Sequence, residues 1–150
     1  YKVNPSFGTS DDRAALLDAV RSGLVDVIGT DHAPHSREDK INGSPGISNV
    51  EIAFEMVNTV FEKEKIGLGR LIEMMAEKPA ELLGLAKGRI EEGFDADLVL
   101  ADLDIAKTIS SETFVSKGRN TPFNGWKTKG EIVFTMKEGE IVYDSRQIAR

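Results

Sequence analysis

Val27-Ile28-Gly29-Thr30-Asp31-His32-Ala33-Pro34-His35 is the stretch from which the fold is read. Together with Asp26, its first residues form a short apolar β-branched run. Such runs predict a strand buried on both faces, as in parallel sheets. The run closes on an acid, two histidines and a proline, where a core strand should end. Ser36 to Ser48 then reads as a loop, with three serines, two glycines and one proline. With helices on both sides, polar groups at the C-terminal end of a parallel strand describe one unit of an α/β barrel, and that end carries the chemistry in such barrels.

On the N-terminal side, Thr9 with Asp12 forms a capping-box pattern, and Asp11 adds charge suited to a helix start. Ala14, Ala15, Leu16, Leu17 and Val20 supply the apolar face, and Gly23 is the expected C-cap. Helix and strand are thus joined by the short link that α/β units prefer. Tyr1 to Asn4 fits a further barrel strand ending at Asn4, although Asn before Pro also starts turns.

On the C-terminal side, Ser48-Asn49-Val50-Glu51 reads as a second capping box. Val50, Phe54, Val57 and Phe61 stripe the helix after it, most simply as core. Gly67 breaks that helix. Leu68, Leu71, Ile72 and Met75 mark another, interrupted at Pro79 and completed by a turn at Gly84. From Lys87 the texture is β. Strands are expected at Arg89 to Glu91 and Asp97 to Ala101. Loose alternation runs from Ile105 to Ser116, and Ile132, Phe134, Met136, Ile141 and Tyr143 alternate around a Glu138-Gly139 hairpin. Asp97 reads as a polar strand-start residue and Trp126 as packing. Residues 1–85 therefore read as α/β in texture, and 86–150 as a small β-rich domain.

Asp31 is the first candidate for chemistry. A carboxylate leaving an apolar strand can ligate a metal and take a proton from water, or it can cap a turn or the next helix. His32 and His35 lie on loop backbone, where a histidine can be a surface residue or a ligand. Pro45-Gly46 is a turn whose glycine would let backbone approach a ligand closely.

The chain has 150 residues, 40% hydrophobic and 29% charged, enough for a real core. A net charge of −6 and a pI near 5.0 argue against nucleic acid or anionic membrane as partners. No apolar run approaches the ~18 residues of a spanning helix, and no signal-peptide pattern opens the chain. With no cysteine, metal ligands must be oxygen and nitrogen. These features fit a cytoplasmic protein. Tyr1 in first place, with no Met, is expected of a cut chain.

Gly29-Thr30-Asp31-His32-Ala33-Pro34-His35 resembles the "TDHAPH" signature of the dihydroorotase family, within the amidohydrolase superfamily. Lys2-Val3-Asn4-Pro5 is similar to that family's "K-x-N-P" segment, and Asn120-Thr121-Pro122-Phe123-Asn124-Gly125 to its "NTPF-x-G". Lys78-Pro79-Ala80, Leu83-Gly84-Leu85 and Ala96-Asp97-Leu98-Val99 resemble phrases of the wider superfamily. The resemblance spans nearly the whole chain. It implies the C-terminal part of a metal-dependent TIM-type (β/α)8 barrel followed by a small β-sandwich domain.

It also implies zinc, one or two ions, with Asp31 as ligand and general base. Asn4 and His35 would hold the substrate's carboxylate, and Pro45 and Gly46 would offer backbone groups to its ring. The implied reaction interconverts N-carbamoyl-aspartate and dihydroorotate in pyrimidine synthesis. Implied partners are the small-molecule substrate, the N-terminal part of the same enzyme, and either a second copy or aspartate transcarbamoylase. Two departures stand out. Ser6-Phe7-Gly8 replaces the usual "L-R" after Pro5, losing a basic residue. The family's His-x-His, bridging lysine and further histidines are absent, since both histidines of the chain lie in the motif, so the chain alone is expected to be inactive. A related cyclic amidase of hydantoinase or allantoinase type and a non-catalytic dihydroorotase-like partner of aspartate transcarbamoylase are the competing readings.

Overall fold

Thr9 opens the first helix, α1 (Ser10–Ser22), through the expected capping box. Its Oγ1 accepts the Asp12 N–H at 3.2 Å, and its own N–H donates to the Asp12 carboxylate at 2.8 Å. Gly23 ends the helix in the left-handed region at φ +81°. The structure is a computed structural model and describes residues 1–148.

The chain continues through α2 (Arg37–Ile41), a 3₁₀ turn (Val50–Ile52), α3 (Ala53–Lys63), α4 (Leu68–Ile72), a π turn (Glu73–Glu77) and α5 (Lys78–Leu82). Then follow β1 (Leu98–Thr108), a 3₁₀ turn (Ser111–Thr113), β2 (Lys127–Lys137), β3 (Glu140–Asp144) and α6 (Ser145–Ile148). The three strands form one antiparallel sheet in the order β1-β2-β3. Glu138 and Gly139, at φ +51° and +82°, make the tight hairpin between β2 and β3, as their sequence leads one to expect.

Several expectations are corrected. Asp26-Val27-Ile28 pairs in no ladder, and Val27 is 38% exposed. Strand hydrogen bonds need a neighbour, and the segment's single bridge joins His32 to Ile47. Tyr1 to Asn4 and Arg89 to Glu91 are likewise not strands, and Ile90 is exposed. The Ser48–Glu51 capping box does not form. Ser48 is spent on Gly118, and the Glu51 carboxylate accepts the N–H groups of Val115 and Ser116. A capping box forms instead at Ser36 and Asp39, inside the expected loop, and starts α2.

Pro79 shapes the helix before it. The Lys78 N–H reaches back five residues to Glu73, and Pro79 has no N–H, so the Met74 carbonyl is left without a helical donor. The Ile28 N–H fills that vacancy at 3.1 Å and anchors the segment that leads to Asp31. Arg70 adds to the anchor by donating to the carbonyls of Val20 and Val25. Beneath lies one core cluster, Val20, Phe61, Leu71 and Met74, flanked by Val25 and Ile28. The 3₁₀ turn shifts the helical phase of α3, so Ile52 is buried in a second cluster with Ile109 and Phe114 while Val50 is exposed.

α3 docks on the sheet by polar groups. Asn58 Nδ2 donates to the Leu103 and Lys129 carbonyls, at 3.1 and 3.0 Å. The first is free because the β1–β2 register breaks between Asp102 and Ala106. Gly130, at φ +105°, lets the strand come this close, since a Cβ there would lie 2.9 Å from Asn58 Nδ2.

Candidate active site

Asp31 is exposed and sits in the left-handed region at φ +47°, a conformation non-glycine residues seldom adopt. Asn49 fixes it from both flanks. Its Nδ2 donates to the Thr30 carbonyl at 2.6 Å, and its backbone N–H donates to His32 Nδ1 at 3.1 Å. Val50 N–H donates to the same nitrogen at 3.2 Å. An imidazole nitrogen that accepts two amides carries no proton, so neutral His32 is protonated at Nε2. His32 therefore caps the helix that follows. To ligate a metal through Nε2 it would have to move its proton to Nδ1 and break both bonds.

His35 is half-buried and turned toward the loop after α2. Its Nε2–H donates to the Pro45 carbonyl at 2.9 Å, and its backbone N–H to Asn120 Oδ1 at 3.1 Å. Gly46 is buried at φ +136°, and a Cβ there would lie 2.7 Å from Ala33 Cβ and 3.0 Å from His35 Nε2, so no side chain fits. Its carbonyl accepts from Lys40 Nζ at 2.8 Å and Asn120 Nδ2 at 3.0 Å. Its N–H donates to the Lys2 carbonyl at 2.9 Å, which brings the segment of exposed Asn4 to the same loop. Nearby, hydrogen bonds from the Ser36 hydroxyl and backbone N–H hold the Asp39 carboxyl below the usual carboxylate range.

Of the residues singled out in the sequence, the structure brings His35, Pro45 and Gly46 together, and Lys2, two residues before Asn4, is bonded to the same loop. Asn49, Lys40, Ser48 and Asn120, which hold them, were not recognised as such. Asn120 carried a signal, as the first residue of the "NTPF" phrase, but the phrase names no partner. Asp31 turns one hard carboxylate toward solvent, a group that could take a divalent cation. Among the described residues there is no group of three or more His, Cys, Asp or Glu that could hold a metal ion.

Residues 5–142 match the model of the Amidohydrolase family, and the chain belongs to that family. Its fold is accordingly part of the TIM-barrel-type amidohydrolase fold. The dihydroorotase of Clostridium botulinum (strain Eklund 17B / Type B) is 46% identical over 144 residues, which are 95% of this chain and 36% of that protein. That of Brevibacillus brevis is 44% identical over 150 residues, 97% of this chain and 35% of its own. The chain spans about a third of the length of the curated relatives it matches. Among solved structures, an L-hydantoinase (dihydropyrimidinase) from Arthrobacter aurescens superposes with a TM-score of 0.90 at 35% identity, covering 95% of this chain and 34% of that one. A D-hydantoinase (dihydropyrimidinase) from Thermus sp. gives 0.90 at 27% identity, with 96% and 34% covered.

Proposed function

We propose that this chain is the C-terminal part of a zinc-dependent dihydroorotase, which interconverts N-carbamoyl-L-aspartate and L-dihydroorotate in pyrimidine (UMP) synthesis. The observation that carries this is the Asp31–His35 segment with its loop drawn in at Pro45 and Gly46, in a chain 46% identical to a dihydroorotase. Asp31 would hold the metal. When bound, zinc polarises the ring carbonyl and lowers the pKa of water toward ~7. Asp31 takes the proton of the attacking water and returns it to the leaving ring nitrogen. Asn4 holds the ring carboxylate together with His35, whose Nε2–H would turn to it from the Pro45 carbonyl, and Pro45 and Gly46 line the ring edge.

The remaining ligands lie in the N-terminal part of the same enzyme, and the protein works in the cytoplasm. Residues 1–85 complete the barrel, and 86–150 belong to the small β-sandwich. A second copy or aspartate transcarbamoylase is the macromolecular partner. The superposition on hydantoinases supports a second reading, a cyclic amidase for uncharged rings. Substrate preference of the complete protein separates the two. Higher kcat/KM on dihydroorotate than on dihydrouracil or hydantoin is expected, and the reverse order overturns the dihydroorotase assignment.

A further inference from the structure

Asn120 lies 85 residues beyond His35, yet its amide reaches the last residue of the motif, His35, and two residues of the loop after it, Gly46 and Ser48. Oδ1 accepts the His35 N–H at 3.1 Å and lies 3.2 Å from Ser48 Oγ. Nδ2 donates to the Gly46 carbonyl at 3.0 Å. Its own backbone carbonyl accepts the Ser48 N–H at 2.8 Å. The amide orientation is fixed by its partners, since an N–H needs the oxygen and a carbonyl needs the nitrogen. The contact is close along its length. Ser48 Oγ donates to the Gly118 carbonyl at 2.7 Å, and a Cβ on Gly118 would lie 2.5 Å from Pro34 Cβ and 3.1 Å from the His35 nitrogen. The side chain belongs to neither hydrophobic cluster.

We propose that Asn120 is a positioning residue that sets the spacing between His35 and Gly46, and so shapes the pocket for the substrate's carboxylate and ring edge from the far end of the chain. The proposal rests on the dihydroorotase reading for what the loop binds, though not for what holds the loop. One amide bridges the two sides: its oxygen takes His35 and its nitrogen takes Gly46. Losing it leaves the His35 N–H and one Gly46 acceptor to water and lets the sides drift apart.

The test uses the complete enzyme with Asn120→Ala and Asn120→Asp. The aspartate keeps the acceptor for His35 and turns a carboxylate oxygen on the Gly46 carbonyl, so it isolates that half of the bridge. Both variants are expected to fold. KM for dihydroorotate should rise about tenfold, as expected for losing a hydrogen bond or two, with kcat within about threefold of wild type. In a His35→Ala background the Asn120→Ala effect should shrink, because the imidazole that Asn120 positions is gone and only the part acting through Gly46 remains. Amide exchange at His35 to Ser48 should quicken in Asn120→Ala while α3 and the sheet stay protected. Additive effects, an unchanged KM with a lower kcat, unchanged exchange in the loop, or failure of Asn120→Asp to fold would each overturn the proposal. A wild-type enzyme without dihydroorotate turnover would refute the dihydroorotase reading alone, because loop exchange still decides the role of Asn120.

Discussion

Asp31 combines a strained backbone with an exposed carboxylate, and Asn49 and His32 keep it so. Asp31→Asn preserves shape, since asparagine also tolerates positive φ, but removes the charge and the proton acceptor. In the complete enzyme turnover should fall by about 10²- to 10⁴-fold with the melting temperature little changed. Retention of more than about a tenth of wild-type turnover would contradict the general-base role. His35→Ala should cut kcat/KM on dihydroorotate by roughly 10- to 150-fold, the worth of one charge-assisted hydrogen bond, and far less on dihydrouracil or hydantoin. Equal losses on both would make His35 a holder of the Pro45 carbonyl only. Asp31 and His35 stand out as candidates in the sequence because acid and histidine stand together in one short phrase. Asn49 and Asn120 do not, because what makes them important is a partner 17, 19 or 85 residues away, which local pattern does not encode.

The element that delivers Asp31 depends on a proline in another. Pro79→Ala restores an N–H that the Met74 carbonyl can take, at the expense of Ile28. Amide exchange at Ile28 should then quicken, and an unchanged rate would remove the π turn from any role in the site. At the start of α1, Thr9→Ala should cost about 1 kcal/mol of stability, read as a lower melting temperature. In the sheet region, the Lys87 ammonium at 2.6 Å and then the Glu138 N–H at 2.7 Å hold the Asp97 carboxyl below its usual range. A depressed carboxylate contributes stability above its unfolded pKa of ~3.9, and that contribution is lost as pH falls through the folded value. Asp97→Asn should therefore lower the melting temperature at neutral pH and flatten its decline below about pH 4. α1, α3 and the β2–β3 hairpin were legible because capping boxes, apolar spacing and Glu-Gly are local signals. The strand at Asp26 to Ile28 was misread because a ladder is a property of two segments. The Ser48–Glu51 box was misread because Gly118, Val115 and Ser116 compete for its side chains.

Across the whole molecule, apolar groups remain on the surface: Leu24 at 79%, Ile90 at 91%, and Val99 and Leu100 at about 60%. Singly exposed apolar residues are ordinary, and only a contiguous patch would mark an interface. The proposed dihydroorotase needs a further segment to bring the metal ligands that would accompany Asp31. The barrel was legible as a class from one strand-end motif and from resemblance. Where a small β-sandwich is expected, the described residues form one three-stranded sheet. The direct measurement is steady-state turnover of dihydroorotate, with zinc, by the purified 150-residue chain, by the N-terminal part of the enzyme, and by the two combined. Turnover is expected from the combination and from neither part alone. Turnover by the 150-residue chain alone, or none from a combination shown to associate and bind zinc, would contradict the assignment of Asp31 and its loop as one half of a shared active site.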